Sequence, residues 1–224
     1  MAKRIKLSQR ILPDYSRGEE RMNMVTHIVG GGLAIVAAVL CILRAALRDN
    51  TWGIVACVLY SFTHIGVYTM SSIYHGLHDS MAKRVMQVID HCAIYFLIAG
   101  TYTAVLLGSL RTVYPTLAWS LFFFEWVLGI IAATLTAIDL KKYDIFSMTC
   151  YIAMGWAILP FWRQVAVSLT GPGFALLLSG GIAYTIGAVL YGIGAKKRWM
   201  HSVFHIFVVL GSMLQFFAIL LYGL

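Results

Sequence analysis

Apolar runs of roughly 20 residues recur from about residue 24 onward, separated by short polar or glycine-containing breaks. Each run is long enough to cross the ~30 Å hydrocarbon core of a bilayer as a helix. The runs are continuous rather than alternating, which excludes a transmembrane barrel. A backbone in lipid must satisfy its own hydrogen bonds, so the segments are expected to be helical. The chain is 60% hydrophobic and only 12% charged, which leaves no room for a second, water-soluble domain. The expected fold is therefore all-α, a polytopic membrane bundle, with residues 1–21 as a polar tail and residues 22–224 as one transmembrane domain.

Seven spans are expected, at about 24–45, 52–75, 87–109, 115–138, 145–167, 173–195 and 201–223. The connections carry turn or polar residues, among them Arg48-Asp49-Asn50, Asp139 to Asp144 and Gly171-Pro172-Gly173. Pro160 lies inside the fifth span and should kink it near Gly155, because proline removes an internal hydrogen bond. Small residues at Gly30-Gly31-Gly32, Gly180-Gly181 and Gly187 suit close helix–helix contact. The polar, basic first 21 residues do not resemble a cleavable signal sequence, so the first span is expected to act as an uncleaved anchor.

Charge placement gives an orientation. Lys3, Arg4, Lys6, Arg10, Arg17, Arg21, Lys83, Arg84, Lys141, Lys142, Lys196, Lys197 and Arg198, thirteen of the 17 basic residues, share one side of the seven-span topology. Only Arg44, Arg48, Arg111 and Arg163 fall on the other. The positive-inside rule then puts the N-terminus in the cytoplasm and the C-terminus outside. The net charge of +8 sits in the tail and in short loops, beside anionic headgroups, so it argues for membrane lipids and against nucleic acid as the partner. Cys41, Cys57, Cys92 and Cys150 lie in or at the ends of apolar runs without Cys-x-x-Cys spacing, and packed, inert thiols are expected.

On this topology His75 ends the second span, Asp90 lies about one turn into the third, and His201 and His205 open the seventh. All four then occupy one level near the cytoplasmic face. Residues four apart share a helical face, which pairs His201 with His205 and Ser71 with His75. Ionisable side chains inside a bilayer are costly and mark functional sites by default. Three neutral imidazoles with an open fourth position form the ligand set of a hydrolytic zinc site, so His75, His201 and His205 are the candidate metal ligands. Asp90 could be a fourth ligand or the general base that takes a proton from water. Ser71 could donate to a developing oxyanion or orient a ligand. The bland alternative is a set of unrelated, hydrogen-bonded interfacial histidines.

A second group lies where the tail meets the first span. Ser16 and Glu19 fit a capping box. Glu20, Asn23 and His27 share one helical face at the same level, either closing the site from beneath or simply starting a solvated helix. His64, roughly 16 Å deeper along the second span, could line a cavity or be a buried, bonded histidine. Glu125 sits near mid-membrane without an obvious partner. His91 is expected to pack, and His78 to lie in a loop.

Three motifs carry a family resemblance: Ser71-Ser72-Ile73-Tyr74-His75, Ile89-Asp90-His91-Cys92-Ala93-Ile94-Tyr95 and His201-Ser202-Val203-Phe204-His205. They resemble the signature motifs of hemolysin III proteins, within the progestin and adipoQ receptor family. Glu19-Glu20-Arg21-Met22-Asn23, Thr26-His27, Leu97 to Thr103 and Tyr151 to Trp156 resemble the bacterial branch. The resemblance implies seven helices oriented opposite to G-protein-coupled receptors, zinc held by the three motif histidines, and Asp90 contacting its water. It also implies lipid amide hydrolysis of the ceramidase type as a possible activity, a role in membrane energy or fluidity homeostasis, and a multi-pass protein of the bacterial inner membrane. Glu125 lies outside the pattern. A metal-dependent lipid amide or ester hydrolase is the leading expectation. A pore-forming or transport protein and a non-catalytic sensor with structural zinc remain as alternatives, and the oligomeric state stays open.

Overall fold

The computed structural model describes residues 7–194 and 197–224, which form helices joined by short turns and coil, with no strand among them. Lys3, Arg4, Lys6 and Lys196, part of the charge count, lie outside the described residues, as does the end of the 173–195 span. The main helices are α1 (Arg17–Leu47), α2 (Thr51–Gly76), α3 (Met81–Val105), α4 (Pro115–Ile138), α5 (Asp144–Trp156), α6 (Trp162–Gly194) and α7 (Met200–Ala218). Among the described residues six helical stretches are long and apolar enough to cross a membrane, where seven were expected. The difference arises because Asp144–Ile193 runs as one 50-residue stretch where two spans were expected. That stretch is not straight. Thr170, at φ 65° and ψ 167°, leaves helical geometry inside α6 just before Gly171-Pro172-Gly173. The expected loop is thus a single-residue break.

Sequence explains why these helices bury the faces they do. In α1 the buried residues are Glu19, Asn23, His27, Gly30, Ala34, Ala37, Cys41 and Ala45, a stripe at three- and four-residue spacing. Its polar and small residues therefore face the bundle. The opposite face exposes Val25, Ile28, Val29, Ile35, Val36, Val39 and Leu43, as lipid contact requires. Capping at the start of α1 is as expected: Ser16 and Glu19 form a capping box, with Ser16 N donating to Glu19 Oε2 at 2.9 Å.

Helix α3 begins earlier than its apolar run, because Ser80 caps it by accepting from Lys83 N at 3.2 Å. Lys83 and Arg84 accordingly belong to the first turn of α3 rather than to a loop, and Asp90 lies in its third turn. Pro160 acts as proposed. Regular helix ends at Trp156 and a 3₁₀ turn covers Leu159–Phe161. Tyr102 repairs the break: its hydroxyl donates to Gly155 O and accepts from Ile158 N, both at 3.1 Å.

Successive helices α1 to α4 pack side by side, and α7 packs against both α6 and α1 to complete the bundle. Gly30 matters here, since a Cβ on it would stand 2.7 Å from the Tyr68 ring of α2. Gly180 and Gly187 make similarly close approaches to α7, whereas Gly32 has nothing within 4 Å and gains no such role. The α1–α2 and α1–α7 contacts bring the N-terminal end of α1 between the two histidine-bearing helices. All four cysteines are free, and Cys41, Cys57 and Cys150 are buried.

Candidate metal centre

His75 comes from the last turn of α2, and His201 and His205 from the first two turns of α7. Their Nε2 atoms converge: His201 Nε2 lies 3.2 Å from His75 Nε2 and 3.1 Å from His205 Nε2. Among the described residues these three form the group able to hold a metal ion, with His75 and His205 buried and His201 half-buried. Asp90 does not belong to that donor set, which disfavours it as a fourth ligand.

The partners of the outer ring nitrogens test whether a cation fits. His75 Nδ1 lies 2.6 Å from Glu20 Oε2, a carboxylate that can only accept. His205 Nδ1 lies 3.2 Å from the backbone oxygen of Asn23, again an acceptor. Both rings must therefore carry their proton on Nδ1 and present a lone pair at Nε2. One proton on His201 Nε2 cannot satisfy two short contacts to lone pairs. A cation satisfies all three at once, and tetrahedral bonds of 2.0–2.1 Å would set the nitrogens about 3.3 Å apart. The donor set fits.

The flanking residues from α1 are all engaged here. Glu20 bridges His75 and Lys83, whose Nζ lies 2.7 Å from Glu20 Oε1. Asn23 is fully buried and accepts from Ser202 Oγ at 2.6 Å through Oδ1. His27 stacks on His205, with centroids 3.7 Å apart and planes 13° from parallel. The face-sharing of Glu20, Asn23 and His27 is thus a wall of the site rather than a solvated helix start. Tyr15, just before α1, stacks on His201 at 5.0 Å and 17° and covers that end of the site. Burial, and then the neighbouring Tyr191, Tyr74, Glu20 and Asp90, holds the Tyr15 phenol well above its ordinary range, so it stays protonated.

Asp90 is buried in α3, with its Oδ2 3.7 Å from His91 Nδ1. Ser71 Oγ is buried and makes no hydrogen bond of ordinary geometry. The nearer partner of His91 Nδ1 is Gln87 O, to which it donates at 2.8 Å. The deeper candidates do not join the centre. His64 is spent on Tyr60 O at 3.0 Å and Thr101 Oγ1 at 3.4 Å, which makes it a bonded core histidine. Glu125 is fully buried in α4, and neither carboxylate oxygen has a hydrogen-bond partner among the described residues.

Three contributors escaped the sequence reading. Ser202 lies inside the His-Ser-Val-Phe-His motif, where its place on the Asn23 side could have been found by helical spacing. Lys83 was counted only as an orienting charge, and Tyr15 carried no signal in the polar tail.

Fold and site together define a multi-pass helical membrane protein with a three-histidine group able to hold a metal at one end of its bundle. Its lineage follows from comparison with known proteins. The family model for haemolysin-III related proteins matches residues 15–216, and the chain belongs to that family. It is 36% identical over 206 residues to Hemolysin-3 of Bacillus cereus, covering 92% of each chain. It is also 36% identical over 204 residues to the Hemolysin-3 homolog of Bacillus subtilis (strain 168), covering 91% of this chain and 94% of that one. The human monocyte to macrophage differentiation factor is 25% identical over 208 residues, 90% of this chain and 83% of its own. No solved structure matches the chain.

Proposed function

We propose that this protein is a zinc-dependent hydrolase of a lipid amide or ester, seated near the cytoplasmic leaflet of a bacterial inner membrane and serving lipid or energy homeostasis. The observation that carries this reading is the convergence of three Nε2 lone pairs, two of them fixed by acceptors at Nδ1. Nitrogen-only donors in near-tetrahedral spacing favour zinc over harder divalent ions. Bound there, zinc supplies Lewis acidity and a water that ionises near neutral pH.

The chain's own residues divide the remaining work. His75, His201 and His205 hold the ion; Glu20 and the Asn23 carbonyl keep two of those rings in the ligating tautomer. Asp90, buried and outside the ligand set, accepts a proton at its carboxylate as general base. Ser71 has a buried hydroxyl free to donate to the oxygen that gains charge as a carbonyl is attacked. Membrane lipids are the partners in this reading, since the three histidines lie in a bundle whose outer faces are apolar. Seven crossings, with the N-terminus cytoplasmic and the C-terminus outside, account for the thirteen-to-four partition of basic residues. The break at Thr170 supports dividing the 50-residue stretch into two of those crossings.

One observation favours a second reading, a non-catalytic sensor in which zinc pins α2 to α7: the Tyr15 ring stacks on His201 and covers that end of the site. A single experiment separates the two. Purified wild type should bind about one zinc, and His201→Ala and His205→Ala should lose it. Asp90→Asn should keep zinc while losing hydrolysis of reconstituted lipid amides; undiminished turnover in that variant would refute its role as base.

A further inference from the structure

Lys83 lies in the first turn of α3, 5% exposed, where lysine is almost never found without a partner. Its ammonium is fully engaged. Nζ lies 2.7 Å from Glu20 Oε1 on α1 and 2.8 Å from Leu77 O, the residue that ends α2. The same ammonium stands 5.1 Å from the centroid of the Tyr74 ring, one residue before His75. Glu20 offers its other oxygen, Oε2, to His75 Nδ1 at 2.6 Å. Lys83, Glu20 and His75 thus form one chain across α3, α1 and α2 that ends on a ligand ring.

We propose that Lys83 is a positioning residue of the three-histidine site, acting through Glu20 to hold His75 in its ligating tautomer and orientation. The physical need for it is specific. The Glu20 side chain keeps 19% of its surface open, so its carboxylate has a route to water and a competing orientation there. A neutral imidazole N–H alone is a weak hold on a carboxylate that can be hydrated instead. A buried ammonium on the opposite oxygen supplies the charge-assisted bond that keeps Oε2 pointed at Nδ1. The bond to Leu77 O fastens the end of α2 as well, so the same cation sets both the height of His75 and the proton on its ring. An ion pair at the surface would count for little; here the ammonium is buried and the pair ends on a candidate metal ligand. The inference rests on the zinc reading for its consequence, yet the tautomer it assigns to His75 exists with or without a metal.

The test is a double-mutant cycle on the full-length protein in detergent, with zinc affinity measured by competition against a chromophoric chelator. Lys83→Met and Glu20→Gln should each weaken zinc binding, by about 10- to 100-fold as outer partners of metal-bound histidines do. Because both act on the same ring, the double variant should be no weaker than the weaker single one. Lys83→Arg, which keeps the charge, should recover part of the loss. Nitrogen-15 spectra of the metal-free protein give an independent readout. His75 should carry its proton on Nδ1 in the wild type and populate both tautomers in Lys83→Met. Wild-type zinc affinity in Lys83→Met, or losses that multiply in the double variant, would overturn the proposal. A wild type that binds no zinc sinks the hydrolase reading instead, and the nitrogen-15 comparison then decides for or against Lys83. If Lys83→Met does not fold, Lys83→Arg and Glu20→Gln carry the same comparison: equal affinity in Glu20→Gln and wild type overturns it.

Discussion

Tyr15→Ala should uncover one end of the three-histidine site and speed the escape of a bound ion. The Tyr15 ring is half-buried and lies 5.0 Å from His201 at 17°, with His75 at 5.9 Å and 52°. Aromatic pairs of this kind contribute about 0.5–1.5 kcal/mol beyond the area they bury. At about 1.4 kcal/mol per decade, losing the stack to His201 corresponds to roughly 2- to 12-fold faster loss of metal. The assay is the rate at which zinc passes from the purified protein to excess chelator, followed by the absorbance of the chelator complex. Tyr15→Phe keeps the ring and should release metal at the wild-type rate. The phenol is held protonated by burial, so its contribution should be constant below about pH 10, the unfolded-state value, and decline above it. The sign follows from a raised pKa: the neutral form is the one favoured by folding, so its advantage disappears as the unfolded phenol ionises. If Tyr15→Phe proves as leaky as Tyr15→Ala, the hydroxyl rather than the stack is responsible, and the reasoning fails.

Asn23→Ala removes the acceptor for Ser202 Oγ at 2.6 Å in a fully buried place but leaves the backbone oxygen that receives His205 Nδ1. It should cost about 1–3 kcal/mol of stability while metal stoichiometry is retained, checked by thermal loss of helical circular dichroism beside zinc analysis. Gly100→Ala should destabilise by about 1–3 kcal/mol through overpacking, because its Cβ would collide with Thr63 Oγ1 and stand 3.0 Å from Thr63 Cβ on α2. The companion Thr63→Ala should relieve most of that loss in the same melt, and failure to do so would mean the contact is not the cause.

The pairing of His201 with His205 was legible because it needs only helical period. The capping box at Ser16 and Glu19 was legible for the same reason, being contained within four residues. The start of α3 was not, since the apolar run begins after the capped turn that Ser80 nucleates and that turn is polar. The merged stretch from Asp144 to Ile193 escaped because Gly-Pro-Gly signals a loop, and the chain makes the break with one residue of positive φ instead. His64 and Glu125 looked alike as intramembrane ionisable groups. Only the surroundings separate them: His64 has two partners on α2 and α3, and Glu125 has none among the described residues.

Hydropathy and period by themselves determined that this chain is a multi-pass helical bundle, and they set three imidazoles at one end of it. The spans and the His201–His205 pair are local properties, carried by side chains within a few turns of one another, and the level of His75 follows from counting spans. What the tertiary structure decided is which atoms meet. Glu20 lies 55 residues from His75 and 63 from Lys83, and Asn23 lies 179 residues from Ser202. Such partners are brought together by the packing of α1 between α2 and α7. That packing selects the protonated nitrogen on two rings, and with it the lone pairs that make the histidines a site.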